Sequence, residues 1–216
     1  MATLTSFYPY VLPDVPGCPE ISVDLALRSS LIEFCEKSLI IQRDHDPLTV
    51  VAGVVDYDFE PPTGNLVVKI MKAWYKTKEL QPVAPDEVDK SELYNRTFEG
   101  ASTDGAEPQY ILQKDERTFS LFPIPKDNAA NALTMRVAYK PTRTTTTVDD
   151  VLFEDYAEVI AHGAKARLFM SPGKTYTNPQ LAVAAMDQFG RGVNTARQRA
   201  VRGHVRSDLS VQMRRL

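Results

Sequence analysis

The spacing of apolar residues changes twice along this chain of 216 residues, and that switch limits the fold more than any other feature. Near the N-terminus Leu27, Leu31, Phe34, Cys35 and Ser38 recur at helical spacing, with Glu33 and Lys37 as an outward i,i+4 pair. Between Leu48 and Lys140 the period drops to two. There Leu133, Met135, Val137 and Tyr139 alternate with Thr134, Arg136, Ala138 and Lys140, the mark of a half-buried strand. Helical spacing returns after Thr147 in Leu152, Tyr156, Val159, Ile160, Gly163 and Ala166. It continues in Leu181, Ala185, Phe189, Gly192, Val193 and Ala196. Helix, strands, then helices predicts an α+β fold.

The boundaries follow from local signals. Pro9, Pro13, Pro16 and Pro19 fix φ and remove donors, so residues 1–21 are expected as an extended N-terminal arm, anchored by Phe7, Tyr8 and Tyr10. The first helix is predicted over residues 22–42 with Ser22 as its cap. Ile32 and Leu39 add a second apolar strip, so two neighbours are needed to cover it. Tyr110–Gln113 and Thr118–Phe122 read as a hairpin about Lys114-Asp115-Glu116-Arg117. Pro61-Pro62-Thr63-Gly64-Asn65 reads as a turn, Pro85-Asp86-Glu87-Val88 as a short helix start, and Glu99–Glu107 as an exposed loop. Trp74, beside Tyr75 in a predicted strand, is expected in the core.

Thr147 and Asp150 fit a capping box, and Asn178-Pro179 a cap followed by proline at the first helical position. The short link Ser171–Thr177 predicts that the last two helices are antiparallel neighbours. The expected organisation is a discontinuous helical bundle from residues 22–47 and 147–200. A β-rich insertion, residues 48–146, lies outside that bundle, and residues 201–216 form a basic C-terminal tail.

Function classes narrow by exclusion. No GxGxxG, GxxxxGK[ST] or GxSxG occurs, and three histidines and two cysteines restrict metal and acid–base chemistry. No cofactor or catalytic group is expected. Asp44-His45-Asp46 reads as a polar helix end, since three consecutive side chains cannot share one metal. Glu158 and His162 are four apart but lack two further ligands. Cys35 is expected in the core and Cys18, between Gly17 and Pro19, nearer the surface as a free thiol. Asn95-Arg96-Thr97 matches a glycosylation acceptor, but Met1–Glu20 lacks the apolar region of a secretory signal, so the match is read as coincidence. No run approaches the ~18 apolar residues of a membrane span.

The net charge of −3 conceals an uneven distribution. From Arg191 to Leu216 seven arginines stand against Asp208 alone, a net +6, which leaves −9 for the rest. Arg202, Arg206, Arg214 and Arg215 are interleaved with Val205, Leu209, Val211, Met213 and Leu216. That mixture suits docking on a protein surface, where arginine pairs with carboxylates. Nucleic-acid binding and a solvated helix end are the other readings. Asp149, Asp150, Glu154, Asp155 and Glu158 crowd the start of the second helix, where acids complement the dipole. The alternative is an acidic strip that faces a partner or a lumen.

The segment Tyr8-Pro9-Tyr10-Val11-Leu12-Pro13-Asp14-Val15-Pro16-Gly17-Cys18-Pro19 leads into a helix carrying Ala26-Leu27-Arg28 and Glu33-Phe34-Cys35. A β segment after Asp46-Pro47 contains Pro82-Val83-Ala84-Pro85-Asp86-Glu87-Val88-Asp89. This architecture resembles the head-to-tail adaptor (connector) proteins of tailed bacteriophages, especially short-tailed ones. The resemblance implies a structural virion protein at the head–tail junction, made in the bacterial cytoplasm, without enzymatic activity, cofactor or membrane contact. It implies a homo-oligomeric ring, commonly of roughly twelve copies, below the portal protein. A downstream tail or nozzle protein, with possible tail fibres, would follow, and DNA would pass transiently through the centre. In that frame Arg202, Arg206, Leu209, Val211, Arg214, Arg215 and Leu216 are candidates for docking on the portal. Asp149, Asp150, Glu154, Asp155 and Glu158 are candidates for a channel-facing strip that repels phosphates.

Overall fold

The computed structural model describes residues 1–84 and 107–203. Helix α1 spans Glu20–Ser38, α2 Asp150–Glu154, α3 Ala157–Phe169 and α4 Pro179–Arg202. The strands are β1 Ala2–Thr3, β2 Gln42–Val50, β3 Asp56–Asp58, β4 Asn65–Tyr75, β5 Lys78–Glu79 and β6 Gln81–Pro82. They continue as β7 Tyr110–Gln113, β8 Thr118–Phe122, β9 Ala129–Pro141 and β10 Thr147–Val148. Helices and sheets are both substantial, so the fold is α+β.

The N-terminal segment is anchored, but it is not extended. It winds into 3-10 turns over Leu4–Tyr10 and Leu12–Asp14. Leu4 and Phe7, three residues apart, share the inner side of the first turn, and Phe7, Val11 and Val15 are each fully buried. The Phe7 ring meets Phe153 edge-on at 5.2 Å. Prolines suit such turns because φ is already near the helical value.

α1 begins two residues before Ser22. Pro19 occupies the cap position without a side-chain bond, and Ser22 lies in the first turn. The helix stops at Leu39, whose φ of 53° breaks the helical path while its N–H still reaches the Cys35 carbonyl. Leu27, Leu31 and Phe34 are buried; each is worth about 1.5–3 kcal/mol in transfer from water.

Residues 42–47 are strand, not the end of a helix. β2 pairs antiparallel with β9, which also pairs with β4, and β5 completes the order β2-β9-β4-β5. The second sheet has the order β3-β8-β7-β6. The β7–β8 hairpin forms where the sequence predicts it. Asp115 stabilises its turn by accepting from the Arg117 and Thr118 N–H groups. The alternation in β9 holds from Leu133 to Val137, and both faces are covered from Ala138 onward. Trp74 is only half-buried, while Tyr75 beside it is core. The readings at Pro85–Val88 and over most of Glu99–Glu107 lie outside the described residues.

Thr147 belongs to a strand that pairs with Thr3, so it caps nothing. Asp149 takes that role and accepts from the Val151 N–H. The helix predicted after Thr147 breaks at Asp155–Tyr156 into α2 and α3. Asn178 caps α4 as predicted, with Pro179 behind it. Phe34 contacts both Tyr156 and Phe189, which brings α1, α3 and α4 together. Two glycines let the last two helices close in. A Cβ on Gly192 would stand 2.3 Å from Val159, and one on Gly163 2.7 Å from Phe189.

The strands do not separate these helices, yet β9 packs directly on α1 and the apolar core runs without a break from helices to sheets. Leu112 of β7 and Phe122 of β8 form a smaller, separate cluster at the edge of the second sheet. Buried Lys140 on β9 adds a polar tie: it donates to Glu36 of α1 at 2.6 Å and also to Glu116 of the hairpin turn.

Candidate functional site

The surface around α3 and α4 carries most of the features that could meet a partner. α4 turns Ala182, Ala185, Phe189, Val193 and Ala196 inward. Leu181, expected on that face, is 51% exposed, and Ala182 takes the place. A second row on α4, Val183, Met186, Gly190 and Asn194, lies beside Ala166 of α3 and Met170, which caps its end. Together they wall an apolar groove of about 750 Å³. The sequence carries the signal for this row, at offsets of three, seven and eleven from Val183, but the stronger inward pattern hides it. Arg167 closes one side: it donates to Ser30 Oγ at 3.0 Å, to the Gly163 carbonyl and to Glu33. Burial would raise the Glu33 carboxyl, but hydrogen bonds from Lys37 and Arg167 outweigh it and hold the group below its ordinary value.

Three of the five acids of the candidate strip are held in ion pairs. Asp149 pairs with Arg43, Asp150 with the N-terminal ammonium at 2.6 Å, and Asp155 with Arg199 at 2.9 Å. Glu154 and Glu158 are exposed and have no ion pair among the described residues. Arg43 and Arg199 come from β2 and α4, far away in sequence, so the spacing of the acids could not reveal the pairing.

Arg202 ends α4, with Gly203 as its cap, so the helix continues past Arg199. Arg206, Leu209, Val211, Arg214, Arg215 and Leu216 lie outside the described residues. Arg197 is exposed at the surface of α4, and Arg191 pairs with Asp187 at 2.8 Å.

The residues weighed for chemistry are placed as structural groups. His45 is not at a helix end. It sits in β2, 5% exposed, with Nδ1 donating to the Asp46 carbonyl at 2.8 Å and Nε2 accepting from the Glu60 N–H at 3.1 Å. Both ring nitrogens are therefore satisfied. His162 lines a small cleft with Tyr10, Glu158 and Lys165, where burial and then Lys165 push its pKa down. Cys35 is in the core, and burial raises its thiol pKa strongly. Cys18 is buried as well, against the expectation, because Val15 and Tyr176 are buried with it in the same core. Among the described residues no three His, Cys, Asp or Glu side chains come together as metal ligands. No described helix is long and apolar enough to cross a membrane.

No curated protein matches this chain. The SU10 adaptor protein family matches residues 13–212, from the second 3-10 turn through α4 and beyond. A match of that extent covers the helices, both four-stranded sheets and the groove surface. The chain therefore belongs to the SU10 adaptor protein family, and it is a structural head-to-tail adaptor of tailed bacteriophages.

Proposed function

We propose that the protein forms a ring of roughly twelve copies beneath the portal and joins it to the next tail or nozzle component, with DNA passing through the ring during genome ejection. The carrying observation is the family match over residues 13–212. In this reading α1, α3 and α4 form a helical bundle drawn from both ends of the chain. Residues 48–146 reach outward to a neighbouring copy or a tail component. A short-tailed particle is the setting the sequence resemblance favours.

The body carries −9 outside Arg191–Leu216, which repels phosphates and keeps passing DNA from adhering. Glu154 and Glu158 are the members of the acidic strip left to act at the channel. Docking on the portal falls to the basic C-terminal end, with Arg202, Arg206, Arg214 and Arg215 pairing with carboxylates and Leu209, Val211 and Leu216 filling apolar pockets. Ordering such a segment costs about 1–2 kcal/mol per residue, so the aliphatic contacts supply much of the affinity and arginine sets register and encounter rate.

Truncation after Ala200 tests this. The shortened chain is expected to stay folded and soluble and to fail to join portal-bearing heads. Normal joining overturns the docking role. The +6 segment also favours a second reading, a nucleic-acid-binding module. Salt-sensitive DNA binding by the full chain, lost on the same truncation, would support it.

A further inference from the structure

Among the described residues, the helices leave two unlike apolar surfaces exposed. On α1, Ile21 is 82% exposed and Leu25 64%, with Ile32 half-buried further along. At about 100° per residue these three fall within roughly 40° of one another, away from the face that buries Leu27, Leu31 and Phe34. The second surface is the α3/α4 groove, where Met170 is 64% exposed and Val183 68%. No heavy atom lies within 4 Å of where a Cβ on Gly190 would be, so the groove is open at its middle. Ser30 and Glu33, which hold Arg167 beside the groove, lie roughly 100–160° round α1 from the Ile21–Leu25–Ile32 row.

We infer that the α1 row of one copy seats in the α3/α4 groove of the next copy, antiparallel to α4. The inference rests on the ring reading above. The dimensions agree: Ile21 to Ile32 rises about 16 Å along α1, and Ala182 to Asn194 about 18 Å along α4. Branched aliphatic side chains suit an opening lined by methionine, valine and alanine. The charges agree in the antiparallel sense. Glu20, at the start of the row, has no ion pair among the described residues, and neither does Arg197, which follows Asn194 on α4. Seated this way, Glu20 meets Arg197. Because the two surfaces differ and lie on separate sides of α1, the contact is heterologous, and its repetition closes a ring when the rotation permits.

The test uses the full chain on portal-bearing heads. A chain carrying both Leu25→Cys and Gly190→Cys, which stand opposite each other in this register, is expected to give a ladder of covalent multimers when oxidised after assembly. Cys18 and Cys35 are buried and give little background. Each single cysteine variant is expected to give no ladder. Leu25→Asp and Met186→Asp change exposed positions, so folding is retained, and each is expected to lower ring occupancy about tenfold or more. A normal ring without a ladder, or normal occupancy in either aspartate variant, overturns the interface and leaves the ring reading intact. Covalent dimers from Leu25→Cys alone indicate a self-paired contact and overturn it too. A wild-type chain that reaches the portal only as single copies defeats the ring reading itself, and the interface with it.

Discussion

The N-terminal segment and the second half of α4 invert what their sequences suggest at first sight. The first has four prolines and is not a regular helix, yet it buries Phe7, Val11 and Val15 completely. The second is an unbroken helix, yet Arg191, Arg197, Arg199 and Val201 all stand exposed, Val201 at 70%. Burial follows the size and spacing of apolar side chains, not the regularity of the backbone that carries them. Charged side chains have the opposite effect and keep Arg191, Arg197 and Arg199 at the surface.

The sharpest way to break this comparison is Phe7→Ala. It deletes a fully buried ring packed on Phe153 and is expected to cost about 3–5 kcal/mol, read as a fall in the urea midpoint. Arg202→Ala, at the other end, is expected to change that midpoint little. Equal effects would mean the N-terminal turns are not part of the core. Next in size is Gly192→Ala, whose new methyl collides with Val159 and should cost about 1–3 kcal/mol. Two residues earlier, Gly190→Ala meets open space and is expected to stabilise the isolated subunit by up to about 1 kcal/mol through helix propensity. The same opposite signs in thermal melts would show that α4 is tight on its inner side and open on the groove side.

Asp149→Ala removes the α2 cap and the partner of Arg43, and a loss of about 1 kcal/mol is expected. The smallest effect concerns pH. Glu33 is held below its ordinary 4.5, so its contribution is complete above that pH and is lost as pH falls through the depressed value. The stability gap between wild type and Glu33→Gln should therefore narrow between pH 7 and pH 3 in urea titrations. A constant gap would show that the ties to Lys37 and Arg167 contribute nothing through charge.

Features legible in the sequence were those set by neighbours along the chain. The β7–β8 hairpin, the alternation in β9 and the Asn178-Pro179 start of α4 each depend on a few adjacent residues. The N-terminal turns are hidden behind prolines that favour an extended backbone, and the ring that covers Phe7, Phe153, comes about 150 residues later. Residues 42–47 carry Arg43, Asp44, His45 and Asp46, which resemble a solvated helix end. They form a strand because β9, about ninety residues later, supplies the ladder. The ion pairs of Asp149, Asp150 and Asp155 are hidden for the same reason, since their cations arrive from β2, the N-terminus and α4.

The central position of β9 also sets when this chain can fold. β2 and β4 both depend on it for their long ladders, and it is complete only at Pro141. Synthesis at about 5–20 residues per second leaves β2 without its partner for several seconds after it emerges. Contacts of such long sequence separation are closed late and at an entropic cost, which slows folding. A nascent chain that stops short of β9 has α1, an unpaired β2 and a β4 held only at its end by β5 on display, and is a substrate for chaperones or for aggregation rather than a half-built adaptor.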